Sequence, residues 1–289
     1  MTDLVACYWT VSGPVEIHFG REWSLWDWRD RCANAARVGF RGLGLWGADI
    51  AHQLETGRSL QEMVATFRDA GLEWIEIEFL QDFFMPEGSA ERAESDRARQ
   101  LLFDAAAAFD AHHIKAGNIP ARVCELDRLA ESLAGVCAEA AQRTSAAIAY
   151  EIIPSDPQIN SLESGLDLLE RAGAPPNLGL AIDTWHLAKL DIATDKLRAL
   201  KPEQIAWVEL SDGHYHNLED FVYEVTCDRN LPGEGEFPIP EYVEALHAAG
   251  YPGPWGVEVL SAPLRELPIE EGFNRAYETA LAQFTAGVA

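Results

Sequence analysis

Strand-like apolar runs alternate with helix-like stretches along the whole of this 289-residue chain, with no linker or break in composition between them. The runs are LVACYWTV (4–11), GLGLWGADI (42–50), WIEIEFL (74–80), HHIKAGN (112–118), AAIAYEII (146–153), 178–183, 204–210 and 255–260. The patterning predicts helices near 24–38, 59–71, 89–110, 123–142, 160–172, 193–199, 238–249 and 269–285. Eight strands, each followed by a helix, form the pattern of a closed (β/α)8 TIM barrel, and 1–289 is read as a single α/β domain of that kind. A doubly wound sheet is the alternative, but it usually has fewer strands, and these do not split into two halves. With 48% hydrophobic residues, the chain can bury a sizeable core.

Charge narrows the partners. A net charge of −25, from 47 acidic and 22 basic residues, argues against binding phosphate backbones, which requires basic surface. Nucleic acid and anionic membranes are therefore not expected as partners. No apolar run approaches the eighteen or so residues needed to span a bilayer. The opening MTDLVACYWT lacks a basic signal-peptide region and reads as a strand. Cys7, Cys32, Cys124, Cys137 and Cys227 are odd in number and scattered, with no CxxC pair. A reduced, cytoplasmic setting is expected, and self-association into a homo-oligomer is left open.

Four acids close four of the apolar runs: Glu151 in AAIAYEIIP, Asp183 in LGLAIDTWH, Glu209 in IAWVELSD and Glu258 in WGVEVLS. A parallel barrel brings strand C-termini to one mouth, so the pattern points to a divalent-metal site. Alternation places Ala149 and Ala147 on the face of Glu151, Ala181 and Gly179 on that of Asp183, and Gly256 on that of Glu258. Small residues below the acids leave interior space, except on strand seven, where Trp207 would fill much of it. A single acid at a strand end more often caps the next helix. Four on successive strands argue for a shared site.

The sequence around these acids resembles the xylose isomerase-like barrel superfamily of sugar isomerases and epimerases, which includes ketose 3-epimerases, inosose dehydratases and dehydroshikimate dehydratases. The resemblance rests on D-T-W-H from Asp183 to His186, L-S-D-G from Leu210 to Gly213, R-N-L-P-G-E-G from Arg229 to Gly235, and the G-Y-P-G-P-W-G-V-E-V run that includes Glu258. It implies one metal ion held by Glu151, Asp183, residue 209 and Glu258. Residue 209 is Glu where the family has His or Gln. An all-carboxylate set suits Mn2+ or Mg2+ and disfavours zinc, while Glu209 is either a ligand, a weak ligand or a protonated bystander.

The resemblance further implies that Glu151 and Glu258 are the acid and base on opposite faces of the substrate. His186 and Arg229 would hold substrate oxygens. The long stretch HYHNLEDFVYEVTC between Asp212 and Arg229 leaves the placement of Arg229 open, a surface arginine being the alternative.

Other side chains have two readings each. Lys115 shares a strand face with His113 and Gly117; it either binds substrate or acts as a base, or else pairs with Glu76 or Glu78. Trp9, Trp46 and Trp185 lie near strand ends, as walls for a sugar ring or as core. His214 and His216 read as solvated loop histidines, within reach of a substrate. GLGLWG satisfies G-x-G-x-x-G, but its glycines fall within a predicted strand and give no dinucleotide turn.

The function expected is a metal-dependent sugar isomerase or epimerase working by proton abstraction beside a carbonyl, with a free sugar or cyclitol as substrate. Phosphorylated sugars fit less well, since no glycine-rich phosphate loop is evident. CYWT, IEIEFL and HHIKAGN look more like inosose dehydratases and C-glycoside-cleaving barrels, so a lyase is the alternative. A non-catalytic barrel subunit is the third reading.

Overall fold

Short apolar strands buried on both faces need helices outside and side chains inside, and a closed parallel barrel provides both. A computed structural model describes residues 2–17 and 20–285. Its strands are β1 (Leu4–Ala6), β2 (Gly42–Trp46), β3 (Trp74–Leu80), β4 (His113–Ala116), β5 (Ala147–Glu151), β6 (Leu178–Asp183), β7 (Ile205–Leu210) and β8 (Trp255–Val257). All pair in parallel in sequence order, and β1 closes on β8.

Twelve helices are found among the described residues. They are α1 (Trp28–Val38), α2 (Gly47–Glu55), α3 (Leu60–Asp69), α4 (Ala90–Phe109), α5 (Leu126–Arg143), α6 (Leu162–Arg171), α7 (Thr184–Lys189), α8 (Thr194–Arg198), α9 (Phe221–Cys227), α10 (Ile239–Ala248), α11 (Ala262–Arg265) and α12 (Ile269–Ala282).

Local chemistry sets several of these boundaries. Asp27 accepts the Arg29 N–H at the start of α1, and Gly39, at φ 112°, ends it in a conformation that glycine adopts without strain. Ser59 and Glu62 form a reciprocal capping box on α3, which then buries Met63 and Phe67 completely. Each such burial stabilises the fold by about 1.5–3 kcal/mol.

The eight predicted βα units are all present, and the differences lie at their edges. β1 stops at Ala6 because Tyr8–Thr10 forms a 3-10 turn, where an extended run to 11 was expected. β2 stops at Trp46, and Gly47 starts α2, a helix absent from the sequence reading. Gly42 and Gly44 of the GLGLWG run lie within β2 for a packing reason. A side chain at Gly44 would meet Glu76 Oε1 at 2.0 Å and the Tyr8 nitrogen at 2.4 Å. β8 ends at Val257, so Glu258 follows the strand immediately.

Inside the barrel, Val5, Cys7, Ala149, Ala181 and Trp207 pack together. Trp207 fills the space that the small residues leave: a side chain at Gly256 would meet its ring at 2.7 Å. Glu76, Glu78, His113 and Lys115 are also buried, so the interior is strongly ionic where Val, Ile and Leu usually dominate.

Candidate active site

The register of neighbouring strands gathers the four acids. Asp183 pairs with Glu209, Glu151 with Ala181, and Glu209 with Gly256, two residues before Glu258. One carboxylate oxygen from each of Glu151, Asp183, Glu209 and Glu258 lies within 4.8 Å of the others, and all four residues are buried. Carboxylates confined in this way require cations or protons.

Lys115 and Arg229 supply part of that charge. Lys115 Nζ lies 2.7 Å from Glu209 Oε1, 2.5 Å from Glu258 Oε1 and 3.2 Å from Glu78 Oε2. Burial alone would lower its pKa, but Glu209, Glu258 and Glu78 outweigh it and raise the group well above an ordinary lysine. The side chain is thus held as an ammonium, and a lysine base made by desolvation does not fit. Arg229 donates from a terminal nitrogen to Asp183 Oδ2 at 2.7 Å, and the same nitrogen lies 3.6 Å from Glu258 Oε2. Its guanidinium sits 4.8 Å from the centre of the Trp185 ring, and its Nε donates to the Val225 carbonyl at 3.0 Å.

The acids differ in electrostatic state. Burial pushes the Glu151 carboxyl up, but Lys115, His186 and Arg229 together bring it down to about 2, so it is ionised. Burial and the neighbouring Glu258 hold Glu209 well above the usual carboxylate range, even though Lys115 opposes them. Glu209 Oε1 accepts from Lys115 and, at 2.8 Å, from Trp207 Nε1. Its Oε2 is buried without a hydrogen-bond partner.

The residues present fit a hard divalent cation. They offer four carboxylates whose charge Lys115 and Arg229 only partly balance, and an orphaned Glu209 oxygen that a cation would satisfy. His186 Nε2 lies 3.2 Å from Glu151 Oε1 and 3.4 Å from Asp183 Oδ2, so an imidazole is also within reach of the cluster.

A cavity of about 250 Å³ opens over these groups. Glu78, Lys115, Glu151, His186, Arg229 and Glu258 border it, and Asp183 and Glu209 lie behind them. Trp9 and Trp46 form part of its wall, with ring centres 4.7 Å apart. Trp185 does not border the cavity. It is buried in the hydrophobic core against Arg229 and Lys189, in keeping with the core alternative.

Val222, Val225 and Thr226 of α9 also border the cavity and were not singled out from sequence. Asp220, which accepts the Tyr223 N–H as the N-cap of α9, is the local signal that marks this helix. His214 and His216 lie in the loop before α9 and do not border the cavity.

The chain matches the xylose isomerase-like TIM barrel family over residues 32–279. A 3-dehydroshikimate dehydratase of Pseudomonas aeruginosa is 27% identical over 241 residues, covering 81% of this chain but only 36% of that protein. This chain therefore spans little more than a third of that relative. A solved structure of an IOLI protein with a binding zinc atom matches with a TM-score of 0.78 at 15% identity, covering 98% of each chain. D-allulose 3-epimerase from Methylomonas sp., in complex with D-allulose, matches with a TM-score of 0.70 at 16% identity, covering 98% of this chain and 97% of that one. These two likenesses are of fold. Sequence match and closed barrel agree along most of the chain, which belongs to the xylose isomerase-like TIM barrel family.

Proposed function

We propose that this protein is a divalent-metal-dependent isomerase or epimerase that removes a proton from the carbon beside a carbonyl of a sugar- or cyclitol-sized substrate. The observation that carries this reading is the pair Glu151 and Glu258, which border one cavity from the ends of β5 and β8 and belong to a cluster of acids suited to a cation. A proton on such a carbon is weakly acidic, so the reaction needs a base, an acid and stabilisation of the charge that develops on oxygen. Mn2+ or Mg2+ held by Glu151, Asp183, Glu209 and Glu258 would supply Lewis acidity toward the carbonyl oxygen.

The chain's own residues carry the remaining roles. Glu151 is ionised and takes the substrate proton as the base, while Glu258, just after β8, enters protonated and delivers its own proton to the other face, so that Glu151 ends protonated and Glu258 ionised. The Lys115 ammonium stabilises negative charge building at the floor of the cavity. His186 and Arg229 bind substrate oxygens, while Trp9 and Trp46 pack against the ring.

The 27% identity to a dehydratase favours a second outcome from the same first step. If a group beside the newly formed carbanion departs, the reaction is a lyase or dehydratase elimination. The test is incubation with Mn2+ in deuterated water against ketoses, inososes, 3-keto sugars and 3-dehydroshikimate. Deuterium in a recovered or rearranged sugar identifies an isomerase or epimerase, and a new double bond identifies a lyase. Glu258→Gln is expected to slow exchange by roughly 10²-fold or more. Absence of exchange and elimination across the panel, with no bound divalent ion, would reduce the protein to a non-catalytic barrel.

A further inference from the structure

We propose that His214 and His216, in the loop between β7 and α9, and Glu236, in the segment leading into α10, form a second metal site suited to Zn2+ or a similar transition-metal ion. A ring nitrogen from each histidine and an oxygen of Glu236 all lie within 4.8 Å of one another. His214 Nδ1 is 3.6 Å from Glu236 Oε1. The two imidazoles stack with centres 5.2 Å apart and planes 21° apart, so they project together from the loop.

The loop is built to hold them there. Lys189 Nζ donates to the carbonyl oxygens of His214 at 2.7 Å and His216 at 2.9 Å, and reaches Asn217 Oδ1 at 3.2 Å. That lysine is itself largely buried, paired with Glu224 and set 5.3 Å from the Trp185 ring. One anchored ammonium thus fixes the backbone of both histidines. Glu236 is fixed separately, its N–H donating to the Gly213 carbonyl at 2.8 Å and its Oε2 accepting the Tyr215 N–H at 3.0 Å. This leaves Oε1 beside His214. Supporting contacts of this kind orient ligands in protein metal sites.

The donor chemistry differs from that at the barrel mouth. Two imidazoles and one carboxylate favour Zn2+ and its neighbours and leave a position open to water, whereas the four carboxylates favour harder ions. A cation here would join the segment leading into α9 to the segment leading into α10. It would thereby brace the helix that carries Val222 and Val225 over the cavity.

The test uses the full chain without an affinity tag, stripped with a chelator and titrated with Zn2+ by calorimetry. The His214→Ala/His216→Ala double variant is expected to lose one binding event that the Glu151→Gln/Asp183→Asn variant keeps. A single event in the parent chain that disappears in the histidine variant still upholds this site, whatever happens at the mouth. As a readout that needs no variant, substoichiometric Cu2+ is expected to broaden the imidazole resonances of His214 and His216. Identical Zn2+ titrations of the parent chain and the histidine variant, or resonances of these two histidines that stay sharp while others broaden, would overturn the proposal.

Discussion

The Lys115 ammonium lies within 3.2 Å of carboxylate oxygens from Glu78 on β3, Glu209 on β7 and Glu258 just after β8. No other side chain explains so directly how these acids share one interior. Lys115→Met keeps much of the bulk and removes the charge, leaving carboxylates that must take up protons or another cation. Breaking a buried ionic arrangement of this kind costs about 3–5 kcal/mol. The metal-free variant should therefore melt well below the parent chain, and Mn2+ should recover more stability in the variant because no ammonium competes for Glu209 and Glu258. Thermal denaturation with and without Mn2+ measures both effects. Equal Mn2+ responses in the two proteins would separate Lys115 from the cation-binding carboxylates.

At this scale the sequence was informative where motif and alternation coincided, as at Glu151, Asp183 and Glu258. It left Lys115 divided between two roles because its partners come from strands far away in the chain. Only the closed barrel shows that one ammonium meets Glu78, Glu209 and Glu258 together.

Among the elements, α9 contributes most to the cavity relative to its length. Its seven residues supply Val222, Val225 and Thr226 to the wall, and Arg229 follows two residues after its end. Asp220 caps it by accepting the Tyr223 N–H at 3.0 Å. Asp220→Ala removes that cap, at a cost of about 1 kcal/mol that falls mainly on the local helix. The expected result is faster amide exchange across 221–229 and a higher KM, with the global unfolding midpoint little changed. A large fall in global stability would show instead that α9 belongs to the cooperative core.

The long helices α4, α5 and α12 were legible because each repeats an apolar stripe over several turns. α7, α9 and α11 are shorter than two full turns, too short for that period to emerge. α2 was hidden for a different reason: Gly47, Ala48 and Ile50 extend the apolar pattern of β2, interrupted only by Asp49.

For the molecule as a whole, the consequence of an ionic barrel interior is a stability that depends on pH in two opposite senses. Burial raises the Glu76 carboxyl from its ordinary 4.5 to about 7, with Lys115 opposing the rise and Glu258 adding to it. His113 Nε2 lies 3.9 Å away, but burial keeps that imidazole neutral and it brings no compensating charge. The folded chain therefore keeps a proton on Glu76 that the unfolded chain releases above its ordinary pKa. The corresponding stability is fully present below pH 4.5 and is lost as pH rises through about 7.

Glu151, held down at about 2, works the other way: its contribution is present above 4.5 and disappears as pH falls toward 2. Glu76→Gln keeps the shape of the protonated acid and cannot ionise, so it isolates the first slope. Between pH 5 and pH 8, chemical denaturation in the presence of a chelator should show the parent chain losing roughly 1–3 kcal/mol more than the variant. Parallel stability curves would mean that Glu76 is already ionised at pH 5 in the folded barrel. The Lys115 charge would then be offsetting Glu76 as well as Glu78, and the charge left for the mouth carboxylates would be correspondingly smaller.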